Sequence, residues 1–283
     1  MKNVLIIPNI RKDKELNITL EAVEVLASSG VRVFADEKYA SVLGGHCELY
    51  KDIPEETEMV LVIGGDGSVL DASVTALSLD VPLLGVNLGK VGYLSEVEPT
   101  EISSLSKIAS GDYYVNERAI LDYSFDGEGG DGAPHRLAVN DIVVSHNSYL
   151  GIAEFSVSSS QAALKYRADG IIFATPAGST AYSFSAGGPV VLPGVSAVLA
   201  TPVCPHSFFD RSVLFNGNDR ITVKNTGDDE LKVSVDGRFV GALLPHKECI
   251  VTVSNKKIKM LTLNRADSLS TLFKKVRVTE DLK

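Results

Sequence analysis

Positive charge is in short supply: 27 Lys and Arg stand against 36 Asp and Glu, a formal net charge of −9. A surface of that sign argues against wholesale binding to nucleic acid or to an anionic membrane. Any anionic ligand must therefore be captured by backbone N–H groups and a few placed cations. Cysteine is scarce as well. Cys47, Cys204 and Cys249 are odd in number and far apart, with neither metal-ligand nor redox spacing, which suits a reducing cytosol. Cys204-Pro205-His206 lacks a second pair to complete a metal site. No apolar run approaches membrane length, and the one in MKNVLIIPNI is too short for a signal peptide or a span. It reads as a first strand, and the cytoplasm is the expected location. Several catalytic signatures are missing too. There is no G-x-S-x-G elbow and no context for a cysteine nucleophile, which disfavours acyl hydrolysis. The dinucleotide fingerprint G-x-G-x-x-G fails because Leu70 stands where its third glycine belongs, and GVNLGKV (85–91) is one residue short of a Walker A loop and ends in Val.

What is present describes an ordinary globular protein of 283 residues, 45% hydrophobic and 22% charged, long enough for one large domain or two ordinary ones. Over the first hundred residues, strand and helix signals alternate. VLIIPN (4–9), VRVF (31–34), VLVI (60–63) and VPLLGV (81–86) are apolar runs. ITLEAVEVLASSG (18–30) places Leu20, Val23 and Ala27 on one helical stripe and Gly30 at the stop. Such alternation predicts a parallel sheet covered on both faces, with ligands beyond the carboxyl ends of its strands. After about residue 112 the texture changes to short strands of period two, separated by Asn216-Gly217, Gly227-Asp228 and Asp236-Gly237. The expected division is an α/β domain over 1–111, completed by the segment 266–283, and a β-rich nucleotide-binding domain over 112–265. The acidic glycine-rich stretch 126–135 reads as an exposed hairpin tip, and 268–283 as a closing helix.

Three stretches carry chemistry. In VLVIGGDGSVLDA (60–72), a strand breaks on glycines and restarts as a helix. Gly64, Gly65, Gly67 and Ser68 would cradle phosphate oxygens on backbone N–H groups at a helix N-terminus. Asp66 would repel phosphate unless it accepts a proton from an attacking hydroxyl or organises a cation; the plainer alternative is a helix cap. In DGIIFATPAGSTAYSFSAGGPVVLPG (169–194), a strand runs into a low-bulk segment whose Ser179, Thr180, Ser183 and Ser185 hydroxyls suit a flat ligand, with Tyr182 offering an aromatic face. In VNDIVV (139–144), Asn140 and Asp141 interrupt an apolar strand and could grip the two hydroxyls of a ribose, or mark a bulge. NLGKVGY (87–93) is a second glycine turn after a strand. Lys90 there, Arg167 and Asp169 as an ion pair or ligand contacts, and His206 are weaker candidates.

GGDGS, NLGKVGYL, the Asn-Asp pair, DGIIFATPAGSTAYSFSAGGPVV, TPVCPHSFFDRSVLF and VSVDG, in this order, resemble the NAD kinase family over roughly residues 4–263. The long serine-glycine block is specific to it; GGDGS alone is shared with lipid kinases and phosphofructokinases. The resemblance implies a diacylglycerol-kinase-like α/β domain with a parallel sheet, joined to an all-β sandwich. It implies ATP-dependent phosphorylation of the adenosine 2′-hydroxyl of NAD to give NADP, with Mg²⁺ or another divalent cation arriving with ATP. Asp66 would be the base or metal organiser, with Gly67 beside it. Asn140, Asp141, Arg167, Asp169 and Ala177 would line the dinucleotide. Thr180, Ala181, Tyr182, Ser183, Phe184 and Ser185 would hold the adenine and its ribose. Three departures stand out: Ala177 replaces a Thr often seen, SFFDRS replaces a more serine- and leucine-rich stretch, and Arg238 replaces a glutamine. A homodimer or homotetramer is expected, with no nucleic-acid or membrane partner. The alternatives are a lipid or sugar kinase sharing GGDGS, or a non-catalytic NAD(P)-binding regulator.

Overall fold

The computed structural model describes residues 1–90, 92–125, 136–147, 151–206 and 209–264. The expected hairpin tip (126–135), the expected closing helix (268–283) and the completing segment 266–283 lie outside these residues. The chain divides into two compact units. One comprises Met1–Glu117 and the chain from Ile258 onward, and the other is Arg118–Lys257. The division at 117/118 compares with the texture change read near residue 112. The return at 258 brings the end of a strand back into the first unit.

In the first unit, β1 (Asn3–Pro8), β2 (Arg32–Asp36), β3 (Glu48–Tyr50), β4 (Met59–Gly64) and β5 (Leu83–Asn87) are all parallel, in the order β3-β2-β1-β4-β5. Every residue of β4 and β5 is buried, as a strand covered on both faces requires. Helix α1 (Asn17–Ser28) buries Thr19, Ala22, Val23 and Leu26. Its inner stripe is thus rotated from the expected Leu20, Val23 and Ala27. The cause is polar: Thr19 donates its N–H and hydroxyl to the Asp13 carboxylate at 2.9 and 2.7 Å, which turns this face inward. A short turn α2 (Ala40–Leu43) precedes β3, and helix α3 (Asp66–Leu79) follows β4 directly, burying Val69, Ala72, Ser73, Ala76 and Leu77 at helical spacing. Helix α4 (Lys107–Ser110) closes the segment. Ile6, Val23, Leu26, Leu61, Ile63 and Val86 belong to one core.

The second unit is built from antiparallel sheets. After β6 (Tyr114–Phe125) and β7 (Leu137–Ala138) come β8 (Asp141–His146), β9 (Ala153–Ser158), β10 (Ala163–Ala168), β11 (Gly170–Ala174) and α5 (Tyr182–Ser185). Then follow β12 (Ala197–Val203), β13 (Val213–Asn216), β14 (Ile221–Asn225), β15 (Leu231–Val235), β16 (Arg238–Leu243) and β17 (Glu248–Thr262). One layer runs β10-β9-β14-β17 and the other β13-β12-β11-β8-β15-β16. Alternate residues of both layers, including Phe155 and Val223 from one and Ile142, Phe173 and Val233 from the other, share a single core, which makes this unit a sandwich. Fully buried Phe155 and Phe173 each contribute about 1.5–3 kcal/mol by leaving water. Strand β17 serves both units. Its first half pairs antiparallel with β14, and near its end Met260 pairs in parallel with Leu83 of β5.

Candidate functional site

The GGDGS turn sits where a parallel sheet places ligands, at the carboxyl end of β4. Gly65 is the residue before the helix, and the N–H groups of Ser68 and Val69 return to its carbonyl at 2.8 and 3.1 Å. Asp66 and Gly67 are left without intrahelical acceptors for their own N–H groups. Gly64 and Gly65 are buried, Asp66 is half-buried and Gly67 is exposed, with open space where a side chain would project. Ser68 is engaged from behind, its hydroxyl accepting the Asn9 side-chain N–H at 2.7 Å. Of the four expected cradle residues, Gly67 is therefore the open one, while Gly64 and Ser68 face protein.

Asp66 is no plain helix cap. Its carboxylate reaches to the second glycine turn, where Oδ2 accepts the N–H of Tyr93 at 3.0 Å and Oδ1 that of Leu94 at 2.8 Å. The turn at 87–93 is shaped by Asn87, which is buried. Its side chain accepts the Gly89 N–H at 2.9 Å and donates to Glu98 at 3.0 Å. The two glycine turns thus form one assembly. Each carboxylate oxygen of Asp66 has two lone pairs, so each keeps one for a ligand proton or cation. Lys90 is exposed on this turn. A cation that sequence reasoning passed over lies closer: the ammonium of Lys12 rests against Gly65, where any β-carbon would collide with it. The only local signal was its place shortly after the first strand, and strand ends carry such residues too often for that to be decisive.

In the second unit the structure brings together the Asn-Asp pair, the serine-glycine block and VSVDG. The Asn140 carbonyl accepts the Thr175 N–H at 2.9 Å, and the Thr175 hydroxyl donates to the Val139 carbonyl at 2.8 Å and accepts the Gly178 N–H at 2.9 Å. Gly178 lies so close to the Asn140 carbonyl that a β-carbon would overlap it. From the other side, the Asp236 carboxylate accepts three successive N–H groups: Val139 at 2.9 Å, Asn140 at 2.8 Å and Asp141 at 3.1 Å. Asp236 was not among the expected site residues. It occupies a left-handed conformation (φ 46°), followed by Gly237 (φ 81°), in the tight turn between β15 and β16.

Asp141 itself is 5% exposed. Burial, and then the neighbouring charge of Asp236, push its carboxyl up to about 7. Burial also raises Asp236, against the three N–H donors that lower it. Asn140 is half-buried, and of the pair it presents the more accessible side chain.

Within the serine-glycine block, two expected hydroxyl donors turn inward. Ser179 is fully buried; its hydroxyl donates to the Pro176 carbonyl at 2.7 Å and accepts the Val191 N–H at 2.9 Å. Ser183 is fully buried too, bonded to the Thr201 hydroxyl at 2.8 Å. Ser183 fastens the short helix to β12, Ser179 ties the turn before it to Val191, and both correct the expectation of a continuous hydroxyl surface. What stays open is Tyr182 (46% exposed), Phe184 (47% exposed) and Ser185, with Ala177, Thr180 and Ala181 half-buried. Helical spacing explains the split, since α5 turns Ser183 inward and its neighbours Tyr182 and Phe184 outward. Arg167 ion-pairs with its cross-strand partner Glu154 at 3.0 Å, where a pair with Asp169 had been one expectation. Asp169, half-buried, anchors backbone: its N–H donates to the Val203 carbonyl, and its carbonyl accepts the His146 N–H, each at 3.0 Å. His206 donates its N–H to the Arg167 carbonyl at 2.7 Å.

Comparison with known proteins gives this geometry a family. The N-terminal domain of ATP-NAD kinase matches residues 4–113 and its C-terminal domain residues 139–263. The NAD kinase of Lachnoclostridium phytofermentans is 35% identical over 93% of this chain and 94% of its own. That of Clostridium perfringens strain 13 is 32% identical over 98% and 99%. Among solved structures, yeast NADH kinase complexed with NADH superposes with a TM-score of 0.82 at 24% identity, covering 96% of this chain and 86% of the other. An NAD kinase from Archaeoglobus fulgidus in complex with ATP gives 0.72 at 24% identity, covering 98% and 99%. These two show the fold; the sequence matches, which span both units, show that the chain belongs to the ATP-NAD kinase family.

Proposed function

We propose that the chain transfers the γ-phosphoryl group of ATP to the adenosine 2′-hydroxyl of NAD, with Asp66 accepting the hydroxyl proton. The ribose oxygen forms the new bond to phosphorus, the bond from phosphorus to the bridging β,γ-oxygen breaks, and ADP leaves with that electron pair. Phosphotransfer to NAD is the activity of the family; the residue roles are our reading. One observation carries them. Asp66 is held by two backbone N–H groups in the glycine turn that opens a helix, yet stays half-exposed with lone pairs to spare. A secondary hydroxyl is a poor nucleophile at neutral pH, and a fixed carboxylate supplies orientation and proton acceptance worth about 10²–10⁴-fold. The helix N-terminus behind Gly67 favours the charge gathering on the transferring group.

Asn140 would bind a ribose of NAD, and Ala177, Thr180, Ala181, Tyr182, Phe184 and Ser185 the adenosine, with Arg167 and Asp169 at the dinucleotide's margin. Asp66 also fits as the protein carboxylate facing a divalent cation carried by the triphosphate, which would offset charge on the phosphate oxygens. Among the described residues no group of three or more His, Cys, Asp or Glu gathers to hold a metal alone. We further propose that the sheet domain is diacylglycerol-kinase-like, that the enzyme works in the cytoplasm and that it is a homodimer or homotetramer. No helix among the described residues is long and apolar enough to cross a membrane.

Incubation with ATP and, separately, NAD, NADH, diacylglycerol or fructose 6-phosphate tests the reading. NADP or NADPH should form. A lipid or sugar as the only acceptor would overturn it, and binding of NAD without turnover would point to a regulator.

A further inference from the structure

Lys12 follows β1, and its backbone is fixed at both ends. On one side Asn9 donates its N–H to the Ile63 carbonyl at 2.8 Å and its side-chain N–H to the Ser68 hydroxyl at 2.7 Å, joining this segment to the GGDGS turn. The Asn9 carbonyl then accepts the N–H groups of Lys12 and Asp13 at 3.0 and 2.9 Å, which closes the chain into a tight turn. On the other side the Asp13 carboxylate accepts the Thr19 N–H and hydroxyl at the start of α1. The side chain leaves this brace toward the glycines. Its ammonium touches Gly65 and stands 3.4 Å from where a β-carbon of Gly89 would be, covering both glycine turns at once. Among the described residues no carboxylate lies within ion-pairing distance of it, and Lys12 is exposed.

An exposed lysine gains most free energy in water, with its ammonium fully hydrated. Here the head group is held over the backbone of Gly65 beside the carboxylate-bearing turn, with three donors and, among the described residues, no hydrogen-bond acceptor. That arrangement suits an oxyanion that lies on the Gly65–Gly67 backbone and meets the ammonium from above. We propose that Lys12 binds the phosphate chain of the phosphoryl donor at the glycine turn. The inference rests on the kinase reading of that turn. It gives the acidic protein a placed cation for a transition state that needs positive charge on the transferring oxygens.

The test uses the full-length enzyme carrying Lys12→Ala, Lys12→Arg or, as a matched exposed lysine nearby, Lys14→Ala. Initial rates are measured with ATP varied at saturating NAD and with NAD varied at saturating ATP, and ATP binding without acceptor is measured by calorimetry. Lys12→Ala should lower kcat/KM for ATP by about 10- to 100-fold, the scale of one charge-assisted contact, and weaken ATP binding, while KM for NAD stays within about twofold. Lys12→Arg should recover part of the loss, and Lys14→Ala should match the parent. Unchanged ATP parameters in Lys12→Ala, or a loss confined to NAD, would overturn the proposal and leave the kinase reading standing. If the parent makes no NADP yet Lys12→Ala weakens ATP binding, the acceptor assignment fails and the role of Lys12 holds.

Discussion

Asp66 in the first unit and Asp236 in the second each hold a distant backbone segment by accepting successive N–H groups, two for Asp66 and three for Asp236. Their surroundings differ. Asp66 opens a 14-residue helix and stands at its positive end, beside an exposed glycine. Asp236 lies in a strand-to-strand turn, its carboxylate drawn in under residues 139–141 and close to the buried carboxyl of Asp141, whose pKa it helps to raise. The same device serves two ends. With two bonds and an open side it leaves a carboxylate able to meet substrate. With three bonds and a second acid alongside, it fixes a segment and stores charge at a cost.

Four experiments sharpen or break that contrast. The largest effect is expected from Asp66→Asn, which should lower turnover by about 10²–10⁴-fold while calorimetry still finds NAD bound. Unchanged turnover would make Asp66 a fastener like Asp236 and erase the distinction. Next, Asp236→Ala leaves three backbone N–H groups without their acceptor, at about 1–3 kcal/mol for each that stays unsatisfied. Its denaturant midpoint should fall clearly and KM for NAD should rise; a variant as stable as the parent would show that residues 139–141 hold themselves.

The third experiment follows proton linkage. Asp141 titrates near 3.8 in an unfolded chain and at about 7 in the folded one, because of burial and then Asp236. The folded state therefore binds the extra proton. Its contribution to stability is full below about pH 4, falls as pH rises and is lost above about pH 7. Thermal unfolding followed from pH 5 to pH 8 should show this decline, and Asp141→Asn should flatten it. An equal slope in both proteins would remove Asp141 as its source. The smallest effect is a crossed pair. Ser183→Ala should cost about 1 kcal/mol of stability, the value of one hydrogen bond, and leave KM for NAD nearly unchanged. Ser185→Ala should do the reverse. Identical behaviour would mean that burial does not sort the two hydroxyls.

The contrast also marks what the sequence could reveal. The parallel strands were legible because β4 is apolar throughout and β5 is apolar up to its last residue, Asn87, and Asp66 because a carboxylate in a glycine turn has few uses. Its bonds to Tyr93 and Leu94 were not legible, nor was the role of Asp236 toward Asn140. Those partners are joined only when separate elements pack, and no local period records that. Ser179 and Ser183 were misjudged for a related reason. A small hydroxyl reads the same in a sequence whether it faces solvent or a core threonine. For α1, a polar fastener between Asp13 and Thr19 overrode the apolar stripe.

Strand β17 has a consequence for synthesis. The pairing of Met260 with Leu83 gives β5 a neighbour that leaves the ribosome only after the whole of Arg118–Lys257. Until then the start of β5, at Leu83, is an open margin able to template contact with another emerging chain, while its end is already covered by Glu96 and Val97. Fragments that stop at residue 117 would inherit the same exposed margin, and should be prone to clumping where the full-length chain is not.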